Sequence, residues 1–322
     1  MKMRLQRIAI SVCVLLVSVA AVLVTGGAAA GAPVHQVTDV DWAAVQDALG
    51  RPGTMMPGDV FRIGMPRADL KVTVSGVPVQ AGFALGSYAA FKQFDTGAMV
   101  MGDLDLLDEE VNPVMSALFD NGFEISGLHN HLNNMSPHMM YMHYEGHGDA
   151  LQLAQGLHQA LSASKTPLSP EVPPPAAAPP TGPQLDVGML DGILGSAGRA
   201  NGSVVQYTVA RSESIIENGH QLLPAMGVAT AINFQPSGPT TASITGDFAL
   251  TAGEVNAVAG ALRASGIDVT ASHQHHLNEQ PRLFYLHFWA NGDPATLAQG
   301  LRAALDQTNS AGLQAPVAVV AK

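Results

Sequence analysis

The sequence contains one cysteine, Cys13, in 322 residues. That excludes a disulfide scaffold and any structural zinc site built on thiolates. Charge is also scarce: Asp, Glu, Lys and Arg make up 13% of the chain, and 15 basic residues stand against 26 acidic ones, for a net charge of −11. Phosphate binding needs a basic surface, so nucleic acid is excluded as a default partner. So little charge beside 47% hydrophobic residues also excludes a disordered chain or a coiled coil, and the length predicts about two domains. Beyond the first residues, no apolar run is long enough to span a bilayer.

The one long uncharged run lies at the start. Lys2, Arg4 and Arg7 precede Ile8 to Val24, and small residues follow through Ala32. This is the layout of a secretory signal peptide over residues 1–32, with Ala28-Ala29-Ala30 as the cleavage signal. An uncleaved anchor is the alternative, since the run could span a membrane with little tilt. Cys13 follows Val12 rather than a small residue, a poor context for lipid attachment, and cleavage removes it. Loss of three basic residues takes the charge from −11 to −14. The expected mature protein is extracytoplasmic, free of cysteine and without a stable transmembrane domain. It must be held together by its cores or by a metal.

What the chain does have is repetition. Shifted by 144 residues, Ala98–Leu161 lies on Ala242–Leu305 without a gap, and 26 of 64 positions are identical. The shared landmarks include Gly102-Asp103 with Gly246-Asp247, Glu110-Val111-Asn112 with Glu254-Val255-Asn256, Pro137 with Pro281 and Gly148-Asp149 with Gly292-Asp293. The organisation read from this is a repeat domain over 33–162, a Pro/Ala-rich linker over 163–183, a second repeat domain over 184–309 and a loose tail over 310–322. Within each copy the pattern predicts helix, two or three strands, helix, two strands, helix. The middle helix is expected over about Glu109–Asn121, and the strands over Phe123–Leu132 and His138–Glu145. Asp149 and Asp293 are expected to cap the last helix of each copy. Strands joined by short hairpins and mixed with helices indicate an α+β fold: two tandem copies of a two-layer α/β sandwich with a mainly antiparallel sheet.

Ten of the 12 histidines fall within 129–158 and 273–287, and three positions are histidine in both copies: His129 with His273, His131 with His275, and His143 with His287. His138, His147 and His158 face Arg282, Asn291 and Arg302, and read as surface residues. A His-x-His pair on a strand puts both rings on one face, roughly 6.5–7 Å apart along the chain. A third histidine from the next strand would complete a three-nitrogen site for a divalent transition metal, one per repeat, with zinc favoured because no thiolate is available. An open fourth position could ionise a bound water, which leaves enzyme or binding protein open. The strand pattern resists part of this, because Met140, Met142 and Tyr144 mark the apolar face and His143 lies opposite with Tyr141. Simple pairing would point His143 away from His129 and His131, and a bulge or burial of both faces would restore the triad. Glu110 and Glu254 recur as well. Thr251-x-x-Glu254 is a capping box, whereas Leu107 stands in for Thr251 in the first copy, so Glu110 invites a second role as ligand or base. The methionines at 135, 139, 140 and 142 read as core, since the second copy replaces all four. A metal-free module in which His and Tyr rim an apolar pocket for a small ligand or envelope component is the alternative. The oligomeric state is open.

Taken together, Gly102-Asp103, Glu110-Val111-Asn112-Pro113-Val114, Gly122, His129-Asn130-His131, Pro137, His143 and Gly148-Asp149 resemble the LppY/LpqO family of exported bacterial proteins. The resemblance covers roughly 38–308. The second copy departs from it at Ala257, Gln274 and the added His276. It implies an extracytoplasmic protein with a duplicated domain of unknown function and supplies no activity.

Overall fold

The computed structural model describes residues 39–169 and 184–315. The expected signal peptide, most of the linker and the end of the tail lie outside the described residues. The first repeat runs α1 (Trp42–Leu49), β1 (Gly53–Met56), β2 (Val60–Gly64), β3 (Val72–Val74), β4 (Val77–Val79), α2 (Ala81–Ala84), β5 (Tyr88–Phe94), β6 (Gly97–Leu107), α3 (Asp108–Asp120), β7 (Glu124–Asn130), β8 (Met135–Ser136), β9 (Met139–Gly148) and α4 (Ala150–Leu161). The second runs α5 (Val187–Leu194), β10 (Arg199–Asn201), β11 (Val204–Val209), β12 (Ile215–Glu217), β13 (His220–Leu222), a 3₁₀ turn (Pro224–Met226), β14 (Thr230–Pro236), β15 (Ala242–Thr251), α6 (Val255–Ala264), β16 (Asp268–His273), β17 (Leu283–Gly292) and α7 (Pro294–Leu305).

The helix ends follow local chemistry. Asp149 accepts from Gln152 N at 3.0 Å to start α4, and Asp293 accepts from Thr296 N at 2.8 Å to start α7, with Pro294 in the first helical position. Gly122 follows α3 with φ 78°, a left-handed turn that a side chain would strain.

Each repeat forms a six-stranded sheet, β1-β2-β5-β6-β9-β7 and β10-β11-β14-β15-β17-β16, with antiparallel neighbours throughout. The period of two along β6 explains what each face meets. Ala98, Val100, Leu104 and Leu106 join Val45 and Leu49 of α1, Val114 and Leu118 of α3, and Leu153 and Leu157 of α4 in one core. The second repeat builds the same core from Ile244, Phe248 and Leu250 beneath α5, α6 and α7. These are the two expected two-layer sandwiches.

The opposite phase of β6 carries Met99, Met101, Asp103 and Asp105. Met99 and Met101 pack with Ile215, Leu222, Met226 and Tyr285 of the second repeat, while Phe83 and Tyr141 pack with Val204 and Trp289. The helix-free faces of the two sheets therefore meet each other, in the order helices, sheet, sheet, helices. Both sheets are buried on both faces. The flanking segments are also held: Leu168 packs on the first core, and Ala311 and Gln314 donate backbone hydrogen bonds to Ala210 and Gly195. No described helix is long and apolar enough to cross a membrane.

Glu110 has a structural role. Its carboxylate accepts from Leu107 N at 2.9 Å, from Lys165 N at 2.8 Å and from the fully buried Arg67 at 2.6 Å. Glu254 likewise accepts from Thr251 N and pairs with Arg211 at 2.9 Å. The expectation of a ligand or base near the histidines is thus corrected for Glu110, whereas Glu254 makes the capping contact expected of it; each carboxylate is committed to a helix start and an arginine. Removing the guanidinium would strand a buried carboxylate, so Arg67→Met is expected to cost about 3–5 kcal/mol, read as a lower urea midpoint. Arg211→Met should cost less, because its partners Glu254 and Glu213 are 14% and 28% exposed. Equal losses, or less than about 1 kcal/mol at Arg67, would contradict this account.

Candidate metal centre

The strand register settles where His143 points. Asp105 of β6 faces Tyr141 of β9 and Asp103 faces His143, all on the side away from the helices. On β7, Ile125 pairs with Tyr144, but the next pair is Gly127 with His143, so Ser126 forms a bulge. Without the bulge, with Ser126 in regular alternation, Gly127 would sit opposite Met142, and His129 would face the helices. With it, Gly127 and His129 change face and join His143 and Tyr141. The second repeat does the same at Thr270: Val269 pairs with Phe288, then Ala271 with His287 and His273 with Tyr285. The two inserted residues also tie the repeats together. Ser126 Oγ donates to His275 O, and Thr270 Oγ1 donates to His131 O at 2.6 Å.

This symmetry brings the six repeated histidines into one cluster between the sheets. His129 stacks on its own counterpart His273 with ring centroids 3.7 Å apart. The second histidine of each His-x-His crosses to the other repeat: His131 lies 3.7 Å from His287, and His275 lies 4.2 Å from His143. The two candidate ligand sets in this cluster do not divide one to each repeat: one takes residues from both copies and the other from the second alone. Five of the six rings are at most 8% exposed, and His131 is half-buried. Of the others, His138 and His147 are exposed as expected, whereas His158 is half-buried, facing Leu49 O at 3.1 Å.

Backbone carbonyls assign three tautomers. A carbonyl only accepts, so the Nδ1 facing it must carry the hydrogen. His129 donates from Nδ1 to Asn130 O (2.9 Å), His275 to Gly227 O (2.7 Å) and His287 to Gly246 O (2.8 Å). Each ring then turns an Nε2 lone pair into the cluster, the second-shell arrangement usual for a metal-bound histidine. Nε2 of His129 lies 2.9 Å from His143 Nε2. Nε2 of His275 lies 3.1 Å from His273 Nε2 and 2.9 Å from Asp247 Oδ2. Nε2 of His287 is buried without a hydrogen-bond partner. Two sets of three ligand atoms lie within 4.8 Å of one another: His129, His143 and His273, and Asp247, His273 and His287.

A family model described as Domain of Unknown Function (DUF1259) matches residues 43–163 and 189–307, which is both repeats and most of the chain. The chain belongs to this family. No curated protein matches it. Among solved structures, it is similar to a trimeric bacterial microcompartment shell protein, PduB, at 13% identity over 80% of this chain and 91% of that one, with a TM-score of 0.20. It is also similar to EtuB from Clostridium kluyveri, at 11% identity over 80% and 90% of the respective chains, with a TM-score of 0.19. Scores this low carry no argument about fold or function.

In this DUF1259 chain the cluster includes two residues whose recurrence was visible in the sequence but whose role was not. Asp103 and Asp247 stand at equivalent positions in the middle of β6 and β15, each opposite a cluster histidine. A carboxylate in the middle of a strand buried on both faces is the signal that could have found them. Burial, and then the charge of Asp247, pushes Asp103 up to about 8, and burial holds Asp247 well above the ordinary carboxylate range. Burial lowers His129 to about 4 and His275 to about 3, and holds His131, His143, His273 and His287 well below the usual value.

The unfolded chain takes up protons on these rings below about 6.5, while the folded chain refuses them. His129 and His275 therefore contribute stability that is present above that value and lost as pH falls through about 4 and about 3. Asp103 acts in the opposite sense, and its contribution is lost as pH rises through about 8. In chelator-treated protein, the imidazole carbon shifts of His129 and His275 are expected to remain neutral at about pH 5.5, where an ordinary histidine is mostly protonated. Midpoints near 6.5 for both rings would contradict the burial argument.

Proposed function

We propose that this DUF1259 chain is an extracytoplasmic protein that binds one divalent transition metal, zinc, in a single centre shared by its two repeats. The observation that carries this reading is the convergence of imidazole lone pairs: three rings with Nδ1 committed to carbonyls aim Nε2 at one another's neighbours inside a buried cluster. Two lone pairs 3 Å apart need a proton or a cation between them. Around tetrahedral zinc, ligands at 2.0–2.1 Å stand about 3.4 Å from each other, close to the spacing seen here. Neutral imidazole is the form that binds metal, and burial already enforces it. The two ligand sets share His273, so they are alternative placements of one ion, and each draws on the same neighbours. His131, Tyr141 and Tyr285 pack around the rings and orient them. Export rests on the basic, apolar and small-residue segments of 1–32 and on the resemblance to the LppY/LpqO family.

Elemental analysis of untagged mature protein is expected to find one zinc per chain. His273→Ala should abolish it, because both sets use that ring, and His129→Ala in the other repeat should weaken it, because the first set takes ligands from both. Two equivalents in the parent with one surviving in each variant would overturn the shared centre. No zinc, and no rise in Tm on adding zinc, would overturn the metal reading itself.

A further inference from the structure

A second buried polar group lies beside the histidine centre and shares no ligand with it. Glu145 follows His143 by two residues on β9 and lies on the same face. Glu217 ends β12, and His276 and Glu279 lie between β16 and β17. All four are at most 1% exposed. His276 Nδ1 is 3.0 Å from Glu217 Oε2 and 3.4 Å from Glu145 Oε2. The other ring nitrogen faces Met226 O at 3.3 Å, which places a hydrogen on Nε2 and turns Nδ1 toward the carboxylates. Neither oxygen of Glu145 receives a directed hydrogen bond, and neither does Oε2 of Glu217 or of Glu279. Arg282 approaches the last of these at 3.2 Å. Buried carboxylate oxygens without donors are costly, so something must offset them.

The duplication supplies an internal control. Ile216 pairs with Gln280 where Thr73 pairs with Ser136, so Glu217 corresponds to Val74 and Glu279 to Met135. Along the gapless alignment His276 corresponds to Leu132 and Glu145 to Trp289. Val74, Leu132, Met135 and Trp289 all belong to one apolar cluster. The two places related by the duplication are thus filled differently: Val74, Leu132 and Met135 of the first repeat with Trp289 of the second form hydrocarbon at one, and Glu217, His276 and Glu279 of the second repeat with Glu145 of the first stand at the other. Apolar replacement of buried ionic groups is commonly neutral or stabilising, so the fold itself has no need of charge here.

We propose that Glu145, Glu217 and His276, with Glu279 beside them, form a second metal site for a divalent cation harder than zinc, with manganese(II) as the probe. Two carboxylates neutralise the ion, one imidazole completes three ligands, and an oxygen-rich donor set suits manganese where the histidine centre suits zinc. The competing arrangement is an imidazolium at His276 held between the two carboxylates. Its single Nδ1 hydrogen can point at only one of them at a time.

The test is manganese binding by full mature chain after chelator treatment, read by elemental analysis and by the manganese EPR signal. One equivalent is expected in the parent and in His129→Ala/His273→Ala, which lacks the zinc centre. It should be lost in Glu145→Gln/Glu217→Gln while zinc is retained. A second variant carries the residues found at the positions the duplication relates to these four, Glu145→Trp/Glu217→Val/His276→Leu/Glu279→Met. It should also lose manganese, with a metal-free Tm at or above that of the parent. No manganese in the parent, or manganese that survives either glutamate variant, would overturn the proposal and leave the imidazolium. Manganese lost only with His129 and His273 would overturn it by placing the ion in the histidine centre.

Discussion

One extra residue in each edge strand decides what this molecule can assemble. Upstream of Ser126 the strand presents Ile125 to the helices with Tyr144, and downstream it presents His129 to the opposite sheet with His143. A strand has only two faces, so a single insertion exchanges them for everything that follows. The inserted residue is itself spent on the partner repeat, through Ser126 to His275 and Thr270 to His131. The same feature therefore aims the histidines and fixes the spacing of the sheets that enclose them. The six-ring cluster needs both repeats, because the second histidine of each pair lies beside the far copy's third.

Burial between two sheets then sets the chemistry. A ring removed from water is held neutral, and a carboxylate removed from water is held protonated unless a cation stands beside it. His129, His143, His273 and Asp247 meet under those conditions. A shared proton or a shared metal ion is the natural way for so many acceptors to lie this close, and carbonyl bonds at three Nδ1 atoms fix the lone-pair directions beforehand. An ion entering such a site meets imidazoles already neutral and oriented, so little of its binding energy goes into ordering those rings.

Much of the fold was legible from local rules. Asp149 and Asp293 mark helix starts, Gly122 marks a helix end, and the period of two along β6 separates helix-facing from opposite-facing residues. The six cluster histidines were legible too, because they repeat. What the pattern could not convey was that the polar side of each sheet faces the other copy, since contacts between strands 144 residues apart leave no local trace. That is why the histidines of the two copies were not expected to share one cluster, and why Glu110 looked available when Arg67, 43 residues upstream, already held it. A bulge likewise adds one residue without changing composition, so apolar alternation alone could not choose between its presence and its absence at Ser126.

The histidine cluster is built from positions that recur in both copies, and the group next to it is not. Glu145, Glu217, His276 and Glu279 differ from their counterparts at every position, as those are Trp289, Val74, Leu132 and Met135. Yet the two halves share one backbone plan, so the difference cannot come from the demands of the fold. Four ionisable side chains at one buried point, each replaced by an apolar one at the equivalent point, are correlated changes. A single stray charge would have been removed or paired, whereas a set of ligands changes together because each is costly without the others. The asymmetry of a duplicated protein is in this sense as informative as its symmetry: the shared positions form the histidine cluster between the sheets, and the unshared ones form a buried ionisable group with no counterpart at the place the duplication relates to it.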